Sequence, residues 1–135
     1  MEANRLRSLE LFEGVADDDL ERCAARFQET EMLAGSAFTR EGDFSYKFFI
    51  VLDGEVEVLR DFEQVVRIGP GEFFGEMGLV SGKRRNARVT ACSRCKVAVM
   101  MTWDFHTMTE ECPEIAARIE ATVAERMAAL PGADA

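Results

Sequence analysis

A chain of 135 residues, 47% apolar and 30% charged, is one globular domain's worth of sequence, and its 10 Phe can anchor a real core. Sixteen Lys and Arg against 25 Asp and Glu leave a net charge of -9, which opposes binding to nucleic-acid backbones. The longest apolar runs, Phe48 to Leu52 and Val97 to Met101, are too short to cross a bilayer, and Met1-Glu2-Ala3-Asn4-Arg5 lacks a signal-peptide core; a soluble, cytoplasmic chain with no membrane contact of its own is expected.

Composition shifts divide a single domain, 1–135, into a helical start (1–27), a β-rich middle (28–101) and helices over 102–130. At the start, Leu20, Cys23, Ala24 and Phe27 recur at helical spacing. Asp17 is expected as the N-cap, with Asp18 and Asp19 complementing the helix dipole. From about Glu29 the period changes to two. Glycines 35, 42, 54, 69, 71, 75, 78 and 82 punctuate short alternating runs, of which Glu55-Val56-Glu57-Val58 and Lys96-Val97-Ala98-Val99 are the cleanest. Short strands with glycine turns predict a sandwich, roll or barrel. Thr102 is expected to cap a short helix through Trp103 and Phe105. Pro113 suits a first helical position, and Ile115, Ile119, Val123 and Met127 then form an apolar stripe that Pro131-Gly132 ends.

The four cysteines, at 23, 92, 95 and 112, read as free thiols, because a core of this size needs no staples. Cys92-Ser93-Arg94-Cys95 has Cys-x-x-Cys spacing but falls between two predicted strands, where no helix N-terminus lowers a thiol pKa. It reads as a turn. A zinc site would have only Cys23, Cys112 and His106 to complete it, so no metal is expected. No nucleophile is paired with a base, so no catalytic residue is assigned and the chain is not expected to be an enzyme.

One segment carries chemistry: Gly71-Glu72-Phe73-Phe74-Gly75-Glu76-Met77-Gly78-Leu79, followed by Lys83-Arg84-Arg85-Asn86-Ala87-Arg88-Val89. Gly75 permits a close backbone approach, and Glu76 to Leu79 predict one helical turn whose free N–H groups face an anion. Nine residues after Glu76, Arg85 offers a planar fork of donors to the same anion. In a chain this acidic, such a local device is how a phosphate would be held.

The segment resembles the phosphate-binding cassette of the cyclic-nucleotide-binding domains, the ligand modules of catabolite-activator-type regulators, protein kinase A regulatory subunits and cyclic-nucleotide-gated channels. Arg40-Glu41-Gly42-Asp43 and the run from Phe48 to Val56 are similar to the family's two preceding glycine turns. The likeness spans about Leu11 to Leu130. Phe73 to Met77 and Pro113 to Ala116 are most similar to the binding domains of bacterial cyclic-nucleotide-regulated potassium channels.

The resemblance implies a mostly β fold, an eight-stranded β-roll (jelly-roll, double-stranded β-helix) flanked by an N-terminal helix and C-terminal helices. It implies a sensor for cAMP, with cGMP as the alternative ligand, no cofactor, and an effector of unknown identity. By residue, it implies that Arg85 pairs with the cyclic phosphate and Glu76 accepts from the ribose 2′-hydroxyl. Gly75 and Met77 then supply backbone donors, Asn86 and Ala87 close the phosphate pocket, Val58 lines the purine, and Arg126 caps the base from the last helix. Two positions depart from the family pattern: Arg84 stands where proline is usual, and Asn86 where a small residue or threonine is usual. They motivate the rival expectation of a protein-interaction roll that has lost its ligand.

Overall fold

The computed structural model describes residues 1–39, 47–60, 63–75 and 88–129. The chain opens with helix α1 (Ala3–Arg7), a 3-10 turn (Glu10–Phe12) and helix α2 (Asp17–Arg26). Eight strands follow among the described residues: β1 (Gln28–Met32), β2 (Ala37–Thr39), β3 (Lys47–Asp53), β4 (Val56–Arg60), β5 (Glu63–Ile68), β6 (Phe73–Phe74), β7 (Arg88–Ala91) and β8 (Cys95–Met101). Helices α3 (Thr102–Glu111) and α4 (Pro113–Ala129) complete it. The strands form two four-stranded antiparallel sheets, in the orders β1-β8-β3-β6 and β2-β7-β4-β5. This is the β-roll with flanking helices that the sequence led us to expect.

The first sheet is a partition between two cores. β3 is the clearest case, because five consecutive residues, Phe48 to Leu52, are all buried. Successive strand side chains point to opposite faces, so a run buried throughout needs cover on both sides. Phe48, Ile50 and Leu52 meet the helices, packing with Leu20, Phe27, Phe105, Met108, Ile115 and Ile119. Phe49 and Val51 point the other way and meet Val56, Val58, Val89 and Val97 between the sheets. The result is three layers: helices, first sheet, second sheet.

The helices are attached by their apolar stripes and by a polar seam. Leu20, Cys23 and Ala24 of α2 are buried, as α2's helical spacing requires. Arg26 donates to both oxygens of Glu111 on α3, and Arg22 and Asp104 lie within the same ionic group. Two capping expectations are corrected here. Ala16, not Asp17, occupies the cap position of α2, and Asp17 is already helical with its carboxylate turned to Arg7 at 2.8 Å. Likewise Met101 precedes α3 in extended backbone, and Thr102 is its first helical residue. Pro113 does open α4.

The Cys-x-x-Cys segment is the turn between β7 and β8. Cys92 N–H and Cys95 Sγ both reach the Glu55 carbonyl, at 2.9 and 3.2 Å. Gly54 underlies this packing: its φ is +88°, and a Cβ there would collide with the Arg94 carbonyl and lie 2.9 Å from Cys95 Sγ.

Candidate ligand-binding site

β6 delivers the backbone to Gly75, and adjacent phenylalanines pin it from both faces. Phe73 belongs to the helix-facing core and lies 5.6 Å from Phe48, centroid to centroid. Phe74 belongs to the inter-sheet core and stacks on Phe49 at 4.7 Å, with Phe38 edge-on at 5.4 Å. Before the strand, Gly71 N–H donates to the Val51 carbonyl at 2.8 Å, and Val51 N–H donates to the Glu72 carbonyl at 2.9 Å. The chain therefore reaches Gly75 with its position fixed in three directions. Gly75 is buried with φ +93°, a left-handed conformation that a side chain would oppose.

Beyond that point, Glu76, Met77, Arg85, Asn86 and Ala87 lie outside the described residues. The chain is described again from Arg88, where β7 begins. The Arg88 Nε and the Thr90 hydroxyl, two residues apart on one face of β7, are buried without a hydrogen-bond partner among the described residues. Val89, between them, faces inward and pairs in register with Val58 of β4. Val58 is fully buried in the same packed apolar core as Phe49, Phe74 and Val89. Phe49, Val58, Phe74 and Val89 thus form part of the packed apolar core between the two sheets.

Arg126 lies elsewhere in this arrangement. Its guanidinium donates to the Phe73 carbonyl and sits 4.7 Å from the centre of the Phe73 ring. Both contacts are made to Phe73, which belongs to the helix-facing core, whereas Val58 belongs to the inter-sheet core. The sequence drew attention to this arginine but not to its companion, Arg118, whose Nη1 donates to the Leu11 carbonyl at 2.9 Å. The two arginines stand eight positions apart on α4, a little over two turns. Arg118 fastens α4 to the 3-10 turn, and Arg126 fastens it to β6. No sequence pattern separates such arginines from solvent-facing ones, since each targets a main-chain carbonyl remote in sequence.

The thiols contribute no chemistry here. Cys23 and Cys112 are both buried; burial, with Cys112 beside it, pushes the Cys23 thiol up to about 12. Burial also raises Cys112 and Cys92. Among the described residues no group of three His, Cys, Asp or Glu is placed to hold a metal. His106 is exposed and its ring lies edge-on to Phe105 at 5.8 Å. No helix among the described residues is long and apolar enough to cross a membrane.

Comparison with known proteins agrees with this fold. The family model described as cyclic nucleotide-binding domain matches residues 29–112. The chain is 35% identical over 98 residues to a cyclic nucleotide-gated potassium channel of Rhizobium etli, a match covering 73% of this chain and 27% of the channel. It is 25% identical over 122 residues to the cyclic AMP receptor protein of Thermus thermophilus, covering 87% of this chain and 56% of that protein. The chain thus spans about a quarter to a half of the length of these relatives. Among solved structures, the regulatory domain of Toxoplasma gondii protein kinase A, co-crystallised with cAMP, has the same fold. It superposes with a TM-score of 0.81 at 22% identity, over 91% of this chain and 48% of that one.

Proposed function

The chain belongs to the cyclic nucleotide-binding domain family, and from that premise we propose that it is a sensor that prefers cAMP to cGMP and signals through its C-terminal helix. Residues 1–135 act as one ligand-binding unit. Arg85 pairs with the cyclic phosphate, and Gly75 and Met77 offer backbone donors to it. Glu76 accepts from the ribose 2′-hydroxyl, while Asn86 and Ala87 close the phosphate pocket. Val58 lines the purine and Arg126 caps it. The chain reports a concentration rather than transforming a substrate, and its effector is another domain or protein.

The observation that carries this proposal is the end of β6. A left-handed, buried Gly75 stands at the first residue of the cassette, on a strand anchored in both cores. A backbone that must come within hydrogen-bond range of an anion needs this: no side chain in the way and little freedom to recoil. The preference for cAMP rests on position 86, where the threonine that favours cGMP in relatives is absent.

Calorimetric titration with cAMP and cGMP tests the proposal. Saturable binding of cAMP at one site per chain, tighter than cGMP, is the expected result. A tenfold preference for cGMP would reverse the base assignment. Binding of neither would favour the rival reading, a roll that serves protein interaction alone.

A further inference from the structure

Arg126 is held by the strand that leads into the cassette. Its guanidinium edge donates to the Phe73 carbonyl, and its face lies over the Phe73 ring at 4.7 Å. Phe73 precedes Gly75 by two residues. The apolar stripe of α4 is buried at Ile115 and Ile119 but only partly at Val123, so hydrophobic attachment weakens toward the end that carries Arg126. Arg118, bonded to the Leu11 carbonyl, holds the earlier part of the helix by a separate contact.

We propose, resting on the sensor reading above, that the Arg126–Phe73 contact is an autoinhibitory latch: it fastens the outer half of α4 to β6, and a nucleotide gains Arg126 only once the latch has opened. Held on Phe73 in the helix-facing core, the guanidinium stands apart from Val58 in the inter-sheet core, so in this reading it must leave Phe73 to reach the base. A contact made only in the ligand-free arrangement lowers apparent affinity by its own free energy, because the ligand must first undo it. The part of α4 through Ile119 keeps its core contacts and the Arg118 strap throughout.

Phe73→Leu tests the latch, since it removes the ring face while keeping an apolar side chain in the core. Without ligand, amide exchange over residues 120–129 should quicken. With cAMP, binding should tighten by about two- to fivefold, the range that a cation–π contact at a partly exposed site implies. Both effects should vanish when Phe73→Leu is made in an Arg126→Gln background, because the double-mutant cycle then has no contact left to remove. Equal changes in the two backgrounds would show that Phe73 acts through core packing alone and would overturn the latch. Unchanged exchange, or weaker binding in Phe73→Leu, would overturn it too. If the parent chain bound no cyclic nucleotide, the sensor reading would fall, and ligand-free exchange would still judge whether Arg126 fastens the helix.

Discussion

Arg26, the last residue of α2, sets two guanidinium nitrogens on the two oxygens of Glu111 near the end of α3, at 2.9 and 3.2 Å. The two residues are 85 positions apart, so the pair ties the beginning of the chain to its final third. Hydrogen bonding to Arg26 holds the Glu111 carboxyl below the ordinary carboxylate range, and Glu111 in turn raises Arg26. A folded-state pKa that is depressed gives stability above the unfolded pKa and loses it as pH falls through the folded one. Glu111→Gln should therefore lower Tm at pH 7 by a small, salt-sensitive amount. The gap between parent and variant should close as pH drops below the usual glutamate range. A gap that persists at low pH would mean that Glu111 acts by packing.

The Cys23 thiol shows the opposite sign. Its pKa is raised to about 12 from an ordinary 9.0, so burial favours the protonated thiol. That contribution is fully present below pH 9 and is lost as pH rises toward 12. In urea titrations, Cys23→Ala should be less stable than the parent at pH 7 because it leaves a cavity. It should also lose less stability between pH 9 and 11. Parallel alkaline limbs for the two proteins would count against a buried, protonated thiol.

Gly54 and Gly35 both have φ +88°, but only Gly54 has neighbours where a Cβ would stand. Gly35→Ala should cost about 1–2 kcal/mol, the left-handed penalty alone. Gly54→Ala should cost that and a further ~1–3 kcal/mol for overpacking, because the Arg94 carbonyl is main chain and cannot step aside. Denaturation midpoints of the two variants measure the difference directly.

Arg85 and Glu76 carry the proposed recognition. Arg85→Ala should fold as the parent does but lose about 2–4 kcal/mol of cAMP binding, as expected for a desolvated charge-assisted pair. Glu76→Ala should weaken cAMP while leaving a 2′-deoxy analogue nearly unaffected. Parent-like Kd values for both variants would remove the cassette from the site.

The sequence made the fold legible where one physical demand dominated. Phe48 to Leu52, with no polar residue, required burial on both faces, and β3 has it. Ile115 and Ile119 required a partner for a helical stripe and found it in the helix-facing core. The family was legible because glycine, acid and arginine recur in a fixed order from Gly75 to Arg85, and the family model matches residues 29–112. The caps were misjudged by one residue, since Asp17 and Thr102 suit both a cap and a first turn, and Arg7 competes for the Asp17 carboxylate. The straps made by Arg118 and Arg126, and the pairing of Cys23 with Cys112, depend on which remote elements meet. Local periodicity holds no record of that.

The double burial of β3 has a consequence for how damage to this protein would be distributed. Phe48 and Phe49 are neighbours in the chain, yet they serve separate chambers, one shared with the helices and one with the second sheet. Trimming side chains one at a time along this strand would therefore produce an alternating phenotype. Even positions would slacken the grip on the terminal helices, and odd positions would reshape the chamber between the sheets. A single strand thus keeps two mechanical properties of the domain separately adjustable, each inherited by every second residue.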